Sequence, residues 1–185
     1  GRIVLNGRDI SRASPWDVCR MGLARTFQVV KPFNNQTVLT NVMVGAFAVH
    51  RRKEQAEEEA QRILDFTGLG HKKHMAAKNL TIPDRKRLEI ARAVATQPKL
   101  LLLDEVMAGL NDTETAQAIH LVKKLIAEMN ISILIIEHVM QVIMSLSNHI
   151  AVLHHGAKIA EGAPEEVVQD PNVVEAYLGE EYVAA

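Results

Sequence analysis

Hydrophobic positions along the chain switch between two periods, and the densest block is the four leucines at 100–103, set between Pro98-Lys99 and Asp104-Glu105. So short and unbroken an apolar run reads as a buried strand of a parallel sheet. A second buried strand spans 131–138 and presents Glu137 and His138 at its end. Between the two, Asn111 and Glu114 form a capping pair that opens a helix to about residue 129, with Ile119, Val122, Ile126 and Met129 as its packed face. Upstream, Thr81 as cap and Pro83 in the first turn predict a helix over 83–96, whose buried stripe is Leu88, Ala91, Val94 and Ala95. Helical spacing of Val38, Val42 and Ala46 predicts a helix over 37–50, and another runs over 54–67 until Gly68 stops it. A short strand over 24–28 delivers Gln28 into a loop; before it come a strand at 1–5, an Asn6-Gly7 turn and a helix over 15–21 ending at Gly22. After residue 138 the pattern gives a helix over 139–146, two strands around His155-Gly156, and short helices over 164–169 and 172–178. Strand, helix, strand recurs with polar residues at strand ends, which is the pattern of an α/β sheet.

In such a sheet the carboxyl ends of the strands are where ligands sit, so Asp104 and Glu105 are the first candidates for chemistry. One acid there can hold Mg²⁺ through water while its neighbour takes a proton from an attacking water; the alternative is that both merely cap the next turn. Composition narrows the partners. The 185 residues are 48% hydrophobic and 23% charged with a net charge of -1, an ordinary globular balance that argues against nucleic acid. The single cysteine, Cys19, excludes an internal disulfide framework and reads as a packing residue. No apolar run approaches the roughly 20 residues that cross a bilayer. His154-His155 reads as a turn edge, His71 and His74 as solvent-facing, and Arg85, Lys86 and Arg87 as a solvated first turn or a patch of positive charge.

Three features stand in order: Gln28 in a loop after a strand, a buried strand ending in Asp104-Glu105, and a buried strand ending in His138. With the stretch EIARAVATQPKLLLLDE joining a basic helix to the second of them, the chain resembles the ATP-binding subunits of ABC transporters. The resemblance implies a P-loop NTPase-like (RecA-like) parallel core with an inserted α-helical subdomain and an antiparallel strand pair. It places the core at 1–31 and 99–161, the helical subdomain at 32–98, and a C-terminal helical tail at 162–185. It also implies ATP and Mg²⁺ as cofactors and a role for each matched residue. Asp104 resembles the Walker B aspartate, Glu105 the catalytic carboxylate, Gln28 the glutamine that senses Mg²⁺ alongside Asp104, and His138 the switch histidine at the γ-phosphate. Asn111 falls in the loop that touches the opposite subunit, and Thr81 stands where the signature loop has a serine.

Two departures accompany the match. The sequence contains no G-x-x-x-x-G-K-[ST], and because GRIVL opens in mid-strand, the chain is read as truncated before that phosphate-binding loop; as given it is expected to bind ATP poorly and to be inactive alone. Where the family reads LSGGQ, the residues here are Leu80, Thr81, Ile82, Pro83 and Asp84, and Pro83 has no N–H to offer a phosphate. The stretch GLARTFQVVKPFNNQTVLTNVMVGAF and the tail ending VVEAYLGE are similar to subunits serving bacterial branched-chain amino acid uptake. That likeness implies a peripheral protein on the cytoplasmic face of the inner membrane, paired with a second ATP-binding subunit as homo- or heterodimer. It further implies two membrane permeases and, indirectly, a periplasmic solute-binding protein. The alternatives are a catalytically weak nucleotide-binding interaction subunit, or an importer for urea or short amides.

Overall fold

A computed structural model of the chain describes residues 1–28 and 30–178. Val29 and residues 179–185, including Gly179 and Glu180 of the tail motif, lie outside the described residues. The chain forms two compact units, Gly1–Ile136 and the segment from Glu137 onward.

The first unit opens with a small antiparallel pair, β1 (Val4–Leu5) and β2 (Arg8–Asp9), around Asn6 and Gly7, both at positive φ. The return strand β2 was not foreseen from the sequence. Helix α1 (Pro15–Arg20) starts on Pro15 behind the Ser14 cap and leads to β3 (Leu23–Arg25). Three helices then intervene, α2 (Val38–Ala46), α3 (Lys53–Phe66) and α4 (Ile82–Val94), before the chain returns to the sheet as β4 (Leu100–Asp104). A long crossover helix, α5 (Asp112–Met129), carries it to β5 (Ser132–Ile136). The three strands run parallel in the order β3-β4-β5, with Arg25 opposite Leu102 and Asp104 opposite Ile136. This is the expected α/β design, a parallel sheet interrupted by a helical insertion.

The helical insertion has its own core. Val38, Val42 and Ala46 of α2 are fully buried, as are Ala56, Ala60, Ile63 and Leu64 of α3 and Ala91 of α4. Small residues let α2 and α4 approach closely: a Cβ built on Gly45 would stand 2.2 Å from the Arg92 carbonyl oxygen. Asn41, also fully buried, fixes the entry to this layer by accepting from the Phe33 N–H (2.8 Å) and donating to the Phe33 and Thr37 carbonyls (3.2 and 2.9 Å).

In the sheet, Leu101 and Leu103 are buried while Leu100 and Leu102 are half-buried, so the four-leucine block alternates rather than vanishing on both faces. On β5 the partners of Leu102 and Asp104, Leu134 and Ile136, are more than half exposed. Helix α5 also turns a little from expectation. Ile119 and Val122 are buried, but Ile126 is 41% exposed and the stripe continues instead through Ala118, Leu121 and Leu125.

The second unit contains α6 (Met140–Leu146), a hairpin of β6 (Ile150–His154) and β7 (Ala157–Gly162) turning at His155 and Gly156, then α7 (Pro164–Val167) and α8 (Pro171–Val173). Val142, Pro164, Val167 and Val173 are buried in it. No helix among the described residues is long and apolar enough to cross a membrane.

Candidate functional site

The site is built at the carboxyl ends of β3 and β4. Thr26, completely buried, ties the two strand ends together. Its N–H donates to the Leu102 carbonyl (2.9 Å), and its Oγ1 accepts from the Asp104 N–H (3.2 Å). Because side chains alternate along a strand, Arg25 and Asp104 emerge on the same face, and Arg25 Nη2 reaches Asp104 Oδ2 at 2.9 Å. Two residues beyond Thr26, Gln28 donates its Nε2 to Glu105 Oε2 at 2.6 Å. Since a carboxylate can only accept, the amide must present its NH₂ to Glu105, and its carbonyl oxygen is the atom left to offer a cation. Gln28, Asp104 and Glu105, 77 residues apart in the chain at the hydrogen bond, are thus brought together.

Glu105 itself sits at φ 46°, in the left-handed region. A side-chain-bearing residue pays roughly 1–2 kcal/mol there, and such strain collects where geometry serves function. The Glu105 N–H donates to the Ile136 carbonyl (3.0 Å), and its own carbonyl accepts from Ala108 N–H (3.1 Å), so the turn out of β4 is pinned on both sides.

Helix α4 reaches this turn from the other direction. Lys86 Nζ lies 3.4 Å from the Glu105 carbonyl oxygen, so the basic first turn is not merely solvated. Three residues later Glu89, 5% exposed, accepts the Phe27 N–H at 2.8 Å. Burial pushes the Glu89 carboxyl above its ordinary range, against the Phe27 N–H and the charges of Arg92 and Lys86.

The other expected site residues have local duties. Thr81 caps α4, its Oγ1 accepting from the Asp84 N–H (3.4 Å) and donating to Asp84 Oδ2 (2.9 Å), and Pro83 occupies the first helical turn as expected. Burial raises the Asp84 carboxyl, but hydrogen bonds from Lys72 and Thr81 and the charges of Lys72 and Arg87 outweigh it and hold the group below the usual aspartate range. Asn111 caps α5 in a reciprocal box with Glu114 (2.9 and 3.0 Å). His138 is exposed and belongs to the second unit, so the first unit assembles the glutamine and the two acids by itself. His154 and His155 meet edge to face at the hairpin turn, and no group of three or more His, Cys, Asp or Glu among the described residues is arranged to hold a metal.

Arg25, Lys86 and Glu89 were not singled out from the sequence as parts of this site. For Glu89 a signal existed: it falls between Leu88 and Ile90 in the buried arc of α4, where a charge demands a partner.

Against this geometry stand the likenesses to known proteins. A family model described as "ABC transporter" matches residues 1–108, and one described as "Branched-chain amino acid ATP-binding cassette transporter" matches residues 157–183. The high-affinity branched-chain amino acid transport ATP-binding protein BraF of Pseudomonas aeruginosa is 38% identical over 195 residues, covering 97% of this chain and 76% of that protein. The corresponding protein LivG of Escherichia coli is 37% identical over the same shares. Among solved structures, the ADP conformation of MJ1267, an ATP-binding cassette of an ABC transporter, superposes with a TM-score of 0.83 at 31% identity, covering 97% of this chain and 77% of that one. A nucleotide-free ATP-binding cassette from an ABC transporter gives a TM-score of 0.81 at 30% identity, with coverage of 97% and 78%.

Proposed function

The chain belongs to the ABC transporter family, and from that premise we propose that it is the ATP-hydrolysing subunit of an importer for branched-chain amino acids. The observation that carries the reading is the Gln28–Glu105 hydrogen bond beside Asp104 at the end of β4, in a chain so similar to BraF and LivG.

The donor set fits a Mg²⁺-nucleotide. Mg²⁺ takes hard oxygen ligands and is usually held by one or two carboxylates together with substrate phosphates, and Asp104 with the Gln28 carbonyl oxygen supplies that kind of set. When bound, Mg²⁺-ATP brings the phosphoryl group to be cleaved and a cation that neutralises its charge. The protein's part is positioning and proton transfer. Asp104, oriented by Arg25, holds the cation side; Gln28 fixes one carboxylate oxygen of Glu105; Glu105 takes the proton of the attacking water. His138 takes the part of the family's switch histidine, while Thr81 and Asn111 face the nucleotide of a second ATP-binding subunit, a homologue or another copy.

The subunit works peripherally on the cytoplasmic face of the inner membrane, with two permeases and, through them, a periplasmic solute-binding protein. Its coupling surface is the loop at 31–35 at the start of the helical segment 32–98, where Phe33 is 48% exposed with the Arg92 guanidinium 5.6 Å from its ring centre. The test is transport. Membrane vesicles carrying the cognate permeases and this protein expressed from its whole gene are expected to accumulate labelled leucine or valine when ATP is supplied, and not labelled urea. Accumulation of urea, or of neither, rejects the substrate assignment.

A second reading, nucleotide binding with weak turnover, is favoured by the start of α4. Pro83 offers no N–H there, and Asp84 is engaged by Lys72 and Thr81. Replacing Ile82 and Pro83 together by glycine restores two flexible N–H-bearing positions. Under the first reading ATP turnover stays near the parent value; a rise of about tenfold or more, the scale of a recovered phosphate donor, favours the second.

A further inference from the structure

Past the last β3–β4 ladder bond, at Thr26, the chain leaves the sheet and within two residues must present Gln28 to Glu105. Phe27 lies between them, and its side chain does little to hold the segment: it is 56% exposed, with the equally exposed Arg25 guanidinium 5.1 Å from its ring. Its N–H points inward, onto Glu89 Oε1 at 2.8 Å. A backbone amide at an exposed residue is satisfied well enough by water. Burying a carboxylate to 5% exposure in order to accept it is expensive unless the hold matters.

Lys86 stands three residues before Glu89 on α4, hence on the same helix face, and reaches the Glu105 carbonyl at 3.4 Å. One face of one helix therefore touches both arms of the Gln28–Glu105 pair, at the Phe27 amide on one side and the Glu105 carbonyl on the other.

We propose that Glu89 is a positioning residue, a carboxylate latch that fastens the backbone of the Gln28 segment to α4 so that Gln28 meets Glu105 only while α4 is seated against β3. The latch rests on the reading of Gln28, Asp104 and Glu105 as the hydrolytic site. It adds to that reading a mechanical link from the helix beginning at Ile82–Pro83 to the glutamine. Tilting α4 withdraws the acceptor from the Phe27 amide, frees the segment, and separates the amide of Gln28 from the base it holds.

Site-resolved amide exchange on the whole chain, with ATP turnover in the assembled transporter, tests this. In the parent protein the Phe27 amide is expected to be protected. Glu89→Leu, which keeps the bulk and removes the acceptor, is expected to speed its exchange by about tenfold or more, the worth of one hydrogen bond to a charged group, while the amides of the last turns of α4 keep theirs. The same variant lowers kcat by about tenfold with the KM for ATP little changed, because a displaced positioning group costs rate rather than binding. Glu89→Gln, which retains an acceptor oxygen, recovers most of both. Equal Phe27 exchange in the Leu variant and the parent, or a Gln variant as impaired as the Leu variant, overturns the latch. If the Leu variant does not fold, the parent decides: a Phe27 amide exchanging at the rate of an unstructured chain also overturns it. Glu105→Gln run in parallel separates the two claims. Undiminished turnover there defeats the hydrolytic site, whereas the Phe27 exchange rates still judge the latch.

Discussion

Glu105→Gln is expected to lower steady-state ATP turnover of the assembled transporter by about 100-fold or more, the usual contribution of a positioned general base, while nucleotide binding persists. The substitution is well chosen by the geometry. A glutamine side chain has the same shape, its carbonyl oxygen can still accept the 2.6 Å bond from Gln28 Nε2, and the backbone contacts to Ile136 and Ala108 do not involve the side chain at all. What is lost is the capacity to take a proton. A variant that folded differently would lose binding as well as rate, so the diagnostic result is a collapse in kcat with nucleotide affinity held. Turnover within about threefold of the parent would remove Glu105 from the base role and return Asp104-Glu105 to a pair of turn-capping acids.

That experiment bears on residues legible in the sequence to very different degrees. The leucine block announces a strand through its unbroken apolarity, and the acids at its end follow from the rule that sheet ligands gather at carboxyl termini. Gln28 is another matter: nothing local ties it to Glu105, 77 residues away, and its place was recognised through family resemblance. Arg25 escaped notice because its partner is on the neighbouring strand, and cross-strand partners depend on register, which one sequence does not state. Glu89 escaped because a charged letter in a helix invites a solvent-facing reading, although its neighbours Leu88 and Ile90 are 2% exposed.

The misplacement of Ile126 has a similar root. Helix α5 carries two overlapping apolar arcs, Ile119-Val122-Ile126 and Ala118-Leu121-Leu125, both at helical spacing, and tertiary packing buries both except at the outer end of the first, Ile126. The strand pair β1–β2 was half seen because β2, Arg8–Asp9, has no apolar residue to betray it and is held by the turn and by Arg2–Asp9 pairing at 3.1 Å.

Gly45→Ala is expected to destabilise the protein by about 2 kcal/mol, on the scale of overpacking in a close helix contact, and so to lower Tm by roughly 4–8 °C for a chain of this size. In an exposed helix the same change stabilises by up to about 1 kcal/mol, since alanine is the better helix former. Here the methyl would stand 2.2 Å from the Arg92 carbonyl oxygen and 3.3 Å from the Ala95 Cβ, and the first of these is backbone that no rotamer change can clear. Helices α2 and α4 must therefore separate by about the shortfall from a normal contact, roughly 1 Å, which loosens contacts at Val42, Ala46 and Ala91, all fully buried. Overlap outweighs propensity. Gly68→Ala supplies the contrast: no atom lies within 4 Å of its built Cβ, so its cost is confined to the φ of 79° and should be about 1 kcal/mol without any movement of α4. Moving α4 has a further consequence, because Arg92 follows Glu89 by one turn on that helix; the shift that relieves Gly45→Ala also draws the Glu89 carboxylate from the Phe27 amide. The Gly45 variant should then lose turnover below its melting range, where the Gly68 variant keeps it. A Gly45→Ala protein that melts with the parent would mean that α2 and α4 are less closely seated than the 2.2 Å approach requires, and that the helix carrying Lys86 and Glu89 is free to move without cost.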